Sequence, residues 1–357
     1  MASVFGSKIK ITIDGSSHGP YVCGTLEGFP NDIAVDPKEL AYFMAKRSSD
    51  GVFGTKRIES DAPIFSSGYI NGKTDGNKIV FVIENKNYNP DEYANIKYLP
   101  RPSHADYVAY VKYGEIPSGG GCFSGRMTAP MCVAGFFCME YLKKYGVEIS
   151  AHLLSAGGIN DKSLDSLKPD ISVLKNLKKK KFPVIDPEIE KKIKSEIKKA
   201  ASDGDSLGGI VEVAVYGLPA GIGGPMYEGL EGLISQAIFA IPGVKGIEFG
   251  IGFGMADKKG SNANDVFTME SGEIKTVTNN CGGILGGISS GMPLIFRAAF
   301  KPTPSIAVTQ DTVNLKTGET EKLTVCGRHD PCIAVRATPV FAAAAAMAIV
   351  NGDFGWN

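Results

Sequence analysis

Residues 118–146 read SGGGCFSGRMTAPMCVAGFFCMEYLKKYG. From about Thr128 to Tyr145 the apolar positions Val133, Ala134, Phe137, Cys138 and Tyr141 return at helical spacing. A long helix is expected there, with that face inward and Gly146 as its stop. Ahead of it, Ser118 to Arg126 runs through three consecutive glycines. A glycine-rich lead into a helix leaves free N–H groups that can hold an anion. The segment matches neither G-x-x-x-x-G-K-[ST] nor G-x-G-x-x-G, so no nucleotide fingerprint is present in it.

Working outward, Ile9, Ile11 and Ile13 alternate with polar residues and predict a half-buried strand ending at Asp14-Gly15. Asp36-Pro37 opens a helix through Arg47, with Leu40, Phe43 and Met44 on one face. Ile79–Ile83 predicts another strand. Asp186-Pro187 opens a third helix, with Ile189, Ile193 and Ile197 on one stripe. Strands are expected at Ile210–Tyr216, Gly246–Phe253 and Ile306–Val313, with a helix between the first two. An alanine-rich helix, Pro339–Val350, closes the chain. The elements interleave without a βαβ rhythm and without a fixed repeat, which favours an α+β or layered sheet-helix-sheet body over a doubly wound fold.

The 357 residues are 43% hydrophobic and 21% charged, so a sizeable core is available. Lys+Arg and Asp+Glu are both 38, a balance that argues against a nucleic-acid coat or a membrane-surface protein. No apolar run approaches the roughly 20 residues of a bilayer span, and the N-terminus shows no targeting pattern. A cytoplasmic protein is the expectation. The seven cysteines form no C-x-x-C pair, and Cys326 and Cys332 bracket His329 at a spacing unlike zinc sites. Reduced thiols and no metal are expected. Ten lysines lie between Lys175 and Lys199. They read as the solvated face of one amphipathic helix and its loop, since aromatics do not interleave with them as in a nucleic-acid platform.

Three of the four histidines lie in Gly/Pro loops beside groups that can tune them: Ser17-His18-Gly19, Arg101-Pro102-Ser103-His104-Ala105-Asp106 and Arg328-His329-Asp330. Such a grouping suggests acid/base work. His152 reads as a half-buried strand residue without a role. Arg101, Arg126 and Arg328 accompany these loops, and Lys301-Pro302-Thr303-Pro304-Ser305 adds an amine and two hydroxyls. Guanidinium forks bind carboxylate and phosphate. The residues thus point to a site for a small polyanion, and no particular reaction follows from them alone.

GSSHG (15–19), RPSHADY (101–107), GGG-x-x-S-x-R-x-T-A (119–129), GGILGGISSG (282–291), FKPTPSI (300–306) and GRHDPC (327–332) occur in an order and spacing that closely resemble chorismate synthase, from Ser7 to about Ala348. The resemblance implies one catalytic domain, 1–357, built as a β-α-β sandwich of antiparallel sheets with helices between them and assembled as a homotetramer. It implies elimination of phosphate from 5-enolpyruvylshikimate 3-phosphate to give chorismate, with reduced FMN and no net redox change. By the same resemblance His18 is the acid beside the departing phosphate, His104 protonates the reduced flavin, and Asp330 with Ser17 manages a proton at flavin N5. Arg101, Ser124, Arg126 and Arg328 would hold substrate. Cys122, Phe123, Ser124, Asn262, Ala263, Gly286, Lys301, Pro302, Thr303, Pro304, Ser305 and Arg328 match positions that line FMN. Arg47 matches an arginine that binds NADP where flavin reduction is intrinsic.

The chain departs from the family pattern at Ser16, usually Glu, and at Cys122, usually Arg. The arginine-rich loop after the first helix is reduced to Lys46-Arg47, Val52–Lys56 lacks a second arginine, and Met127 stands in the R-E-T motif. Lys56 or Arg57 is the expected substitute charge. No segment resembles a flavin reductase, so the monofunctional type, using reduced FMN made elsewhere, is expected. Two alternatives are a flavin enzyme with genuine redox turnover and a non-catalytic anion- or RNA-binding protein.

Overall fold

The computed structural model describes residues 2–48, 53–54, 59–87, 96–325 and 329–354. Val52, Lys56, Arg57, Cys326 and Arg328 lie outside them. The first sheet contains β1 (Ser3–Phe5), β2 (Lys10–Gly15), β3 (Tyr21–Glu27), β4 (Pro63–Ser67) and β7 (Ile79–Glu84), in the order β1-β2-β3-β7-β4. A small hairpin, β5 (Tyr69–Ile70) and β6 (Lys73–Thr74), interrupts it. The second contains β8 (Glu148–Ala156), β9 (Ile159–Asn160), β10 (Gly209–Tyr216), β11 (Val244–Phe249) and β16 (Leu294–Phe300), in the order β11-β16-β10-β8-β9. Both sheets are antiparallel throughout. Further hairpins are β12–β13 (Phe267–Glu270, Glu273–Thr276), β14–β15 (Ile284–Leu285, Ile288–Ser289) and β17–β18 (Gln310–Val313, Thr320–Leu323).

The helices are α1 (Pro37–Arg47), α2 (Asp106–Tyr113), α3 (Thr128–Lys143), α4 (Ile171–Lys179), α5 (Pro187–Ser202), α6 (Leu230–Phe239), the single turn α7 (Gly260–Ala263) and α8 (Ala334–Asn351). α3 and α8 pack on each other, α3 meeting the first sheet and α8 the second. This is the expected sheet-helix-sheet sandwich. The Asp-Pro starts behave as capping chemistry requires: Asp36 accepts from Lys38 N–H (2.7 Å) and Asp186 from Glu188 N–H (2.9 Å). Past the end of α3, Gly146 adopts φ +79°. At Gly135 a Cβ would lie 2.4 Å from Ala343 Cβ, so this glycine and the alanine run of α8 allow the two central helices their close approach.

The strands also differ instructively from the sequence reading. β3 alternates buried and half-buried residues, whereas β10 (GIVEVAVY) is buried almost throughout. The second sheet is covered on both faces, by α8 on one side and by α4 with the Leu164, Leu174 and Leu177 cluster on the other. Two-sided cover removes alternation: β10 is expected from its continuous apolar run, β8 is marked in the sequence only at His152, and β16 is not read at all.

The lysine-rich stretch forms two helices, α4 and α5, rather than one, with Asp170 capping the first. The expected strand at 246–253 runs from Val244 to Phe249 and then turns, and that at 306–313 shrinks to Gln310–Val313. The last helix begins at Ala334, not Pro339. The proline sits inside it, where no N–H can reach the Val335 carbonyl, and the Thr338 hydroxyl donates to that carbonyl instead (3.2 Å). By length and composition Ala334–Asn351 could cross a membrane, but here it is the enclosed central helix.

Candidate active site

A cavity of about 710 Å³ opens where loops from both sheets meet the starts of α2, α3 and α8. Each of these helices is preceded by residues that line it: Ala105, Ser124 to Arg126, and His329 to Asp330 with Ile333. Helix starts turn unpaired N–H groups and the positive dipole end toward an anion. Among the described residues the lining carries Arg47, Arg101, Arg126, Arg336 and Lys301 against Glu59, Asp61 and Asp330. The excess is cationic.

The His104 loop is built by a tight turn. Ser103 takes a left-handed φ of 59°, and His104 N–H donates to the Arg101 carbonyl (3.1 Å). Asp106, at the start of α2, is the hub. It accepts from Arg101 Nε (2.7 Å) and Nη2 (2.8 Å), and its Oδ1 lies 2.6 Å from His104 Nδ1. A proton on Nδ1 satisfies that contact and leaves Nε2 for the cavity. Burial, reinforced by Arg101 and Lys301, holds His104 below the usual histidine range in spite of Asp106. Asp106 itself is held far below the usual carboxylate range: burial opposes ionisation, but bonds from Arg101 and His104 prevail.

The glycine triplet lies against this histidine. Gly119, Gly120 and Gly121 have φ of 57°, 88° and 53°, and a Cβ at Gly120 would come 3.2 Å from His104 Cε1. Only glycine fits there without strain. Ser17 lies buried beneath this loop, its hydroxyl donating to the Gly119 carbonyl (3.3 Å), and is not among the lining residues. His18, one residue on, does line the cavity.

A second hub organises the arginines. Asp61, 1% exposed and at a left-handed φ of 49°, pairs one oxygen with Arg47 and the other with Arg126. Arg126 Nε also donates to Asn85 Oδ1 (2.7 Å), and Arg47 Nε to Thr128 Oγ1 (2.9 Å). Burial works against the Asp61 charge, yet the two guanidiniums hold its carboxyl below the usual range. Arg336, on α8, holds Asp330 (3.0 Å).

The fold thus brings His18, His104, Asp330, Arg47, Arg101, Arg126, Cys122 to Ser124 and Lys301 to Ser305 around one space. Asn262, Ala263 and Gly286 do not line it. Gly286 lies by the start of α6, whose other end, Phe239–Ala240, borders the cavity. Asn262 and Ala263 cluster with Asn280 near Gly250, at the end of β11 opposite Gly243, a lining residue. Arg328 lies outside the described residues. Sequence reading missed Asp61, Asn85 and Arg336. The lone arginine in an alanine-rich helix was a usable signal for the last. Nothing local marked Asp61.

A chorismate synthase family model matches residues 9–352. The chorismate synthase of Pyrococcus abyssi is 42% identical, covering 94% of this chain and 93% of its own. That of Lancefieldella parvula is 39% identical, covering 100% and 97%. A crystal structure of chorismate synthase superposes with a TM-score of 0.76 at 24% identity, over 97% of this chain and 92% of that one, a likeness of fold. Full-length identity near 40%, together with a match that spans every loop of the cavity, means that the chain belongs to the chorismate synthase family.

Proposed function

We propose that the chain removes phosphate from 5-enolpyruvylshikimate 3-phosphate by 1,4-anti elimination, giving chorismate with reduced FMN bound and no net redox change. The observation that carries this reading is the convergence of His18, His104, Asp330, Arg47, Arg101 and Arg126 from distant segments on one cavity.

The residues present suit a flavin and an anionic substrate. A volume of about 710 Å³ lies in the upper part of the range for organic ligands. Thr303 Oγ1 is buried there without a hydrogen-bond partner, an acceptor and donor awaiting a polar group. Cys122 to Ser124 and Lys301 to Ser305 would hold FMN. Bound by these residues, reduced FMN would supply electron density for the elimination.

The chain's own groups do the rest. Arg101, Arg126 and Ser124 bind carboxylates and phosphate, with the guanidiniums oriented by Asp106 and Asp61. A protonated His18 imidazole donates its N–H to the departing phosphate, neutralising charge as it develops. His104 presents Nε2 while Asp106 holds Nδ1. An anion beside that ring raises its pKa and makes it an acid. Asp330, held by Arg336, exchanges a proton within the site. A homotetramer and a cytoplasmic location belong to the same proposal.

The test is anaerobic turnover with dithionite-reduced FMN, comparing wild type, His104→Ala and Asp330→Ala. Chorismate and phosphate should form in equal amounts and fall about 100-fold or more in each variant. Folded, FMN-binding wild type that yields no chorismate would overturn the reading and favour redox chemistry on another anion.

A further inference from the structure

A second cavity, of about 270 Å³, lies on the far side of the end of α1, among α1, α3, α4, β8 and α8. Its walls are apolar and firmly packed: Phe43 and Phe136, whose ring centroids lie 5.2 Å apart, with Met139, Ile149 and Ala342. Its rim is charged. Lys143 pairs with Glu140, Lys178 with Glu148 and Lys180 with Glu190. Lys46 has no carboxylate partner among the described residues. Its ammonium donates to the Lys178 carbonyl and sits 4.9 Å from the Tyr42 ring centroid. An apolar body lined with aromatic rings, with the ammonium groups of Lys46 and Lys181 at its rim lacking a carboxylate partner among the described residues, is the complement of a flat apolar anion.

We propose that this cavity binds a small aromatic carboxylate, its ring against Phe43 and Phe136 and its carboxylate on Lys46. The charge relations favour such a ligand. Burial, with the nearby Lys178 ammonium, lowers Lys46 to about 8, while Glu39 on the same helix opposes the shift. A carboxylate at Lys46 offsets both effects, so binding near pH 8 takes up a proton. Of the other charged groups at the rim, Glu140, Glu148, Lys143, Lys178 and Lys180 are already paired, and Lys181 adds a second positive charge. The site is independent of the large cavity's chemistry, although Lys46 is followed by Arg47, whose side chain lines that cavity.

The experiment is saturation-transfer NMR on the full chain with 3-phenylpropionate, and with 2-phenylethylamine as the probe of opposite charge. The carboxylate should bind and the amine should not. Lys46→Gln should weaken binding about tenfold or more, and Met139→Trp, which fills the cavity from its wall, should abolish it. Wild-type affinity should also fall as pH rises from 7 to 9.5, and that dependence should vanish in Lys46→Gln. No binding, equal binding of the amine, or binding that survives both substitutions, and so belongs to the large cavity, would overturn the proposal.

Discussion

Glu212 and His152 stand directly opposite each other on β10 and β8, with Oε2 and Nε2 3.0 Å apart and both side chains fully buried. The row continues across the sheet: Arg297 faces Glu212 (2.8 Å), Glu248 faces Arg297 (3.7 Å), and Asp161 lies 3.5 Å from His152 Nδ1. With His152 protonated, the charges alternate along the row. The sequence predicts a half-buried strand residue without a role; His152 is instead fully buried between two carboxylates that favour its protonated form.

That row predicts a pH dependence. Burial alone would lower the His152 pKa, but Asp161 and Glu212 prevail and raise it above 6.5. Its contribution is therefore complete below the unfolded value near 6.5 and is lost as pH rises through the higher folded value. Urea unfolding between pH 6 and 9 should show the difference between wild type and His152→Gln shrinking as pH rises. A difference that is constant with pH would rule the linkage out.

Asp61 is the shared carboxylate partner of two buried guanidiniums. Asp61→Ala leaves Arg47 and Arg126 facing each other without a counter-ion, a loss of roughly 3–5 kcal/mol. Denaturant unfolding measures it. An Asp61→Ala protein as stable as wild type would mean the hub adds nothing.

Asp106 predicts an effect on His104 that a change in packing would not reproduce. Asp106→Asn removes the charge at Nδ1 and lowers the His104 pKa further. The His104-dependent limb of the kcat/KM profile should move to lower pH, whereas loss of the buried Arg101 pair lowers Tm without moving that limb. An unmoved limb would separate His104 from the titration.

The close approach of α3 and α8 rests on Gly135 against Ala343. Gly135→Ala should destabilise the fold by about 1–3 kcal/mol through overpacking, despite alanine's better helix propensity. Ala343→Gly in the same chain should recover part of it. Stabilisation by Gly135→Ala would mean that the helices part freely.

The expectation that reduced FMN is made elsewhere predicts no chorismate from this chain with free FMN and NADPH alone, and turnover once dithionite is added. Robust turnover with NADPH would assign flavin reduction to the chain itself, with Arg47 the first residue to test.

Much of this protein was determined locally. The caps at Asp36 and Asp186, the helix of Thr128–Lys143, the alternating first sheet and the loops carrying His18, His104 and Asp330 follow from residues within a few positions of one another. Capping, periodicity and turn chemistry act over one or two turns of chain and leave a readable mark. Tertiary structure alone decided the remainder. It covered the second sheet on both faces, which leaves no alternation in β10 or β16 to read. It placed Pro339 inside α8, where Thr338 takes up the freed carbonyl. It set Asp61 between Arg47 and Arg126, and carried Gly286, Asn262 and Ala263 away from the cavity that Lys301 to Ser305 enter. These outcomes depend on which buried charges find partners and which apolar faces find cover, and both are settled by segments far apart in the chain.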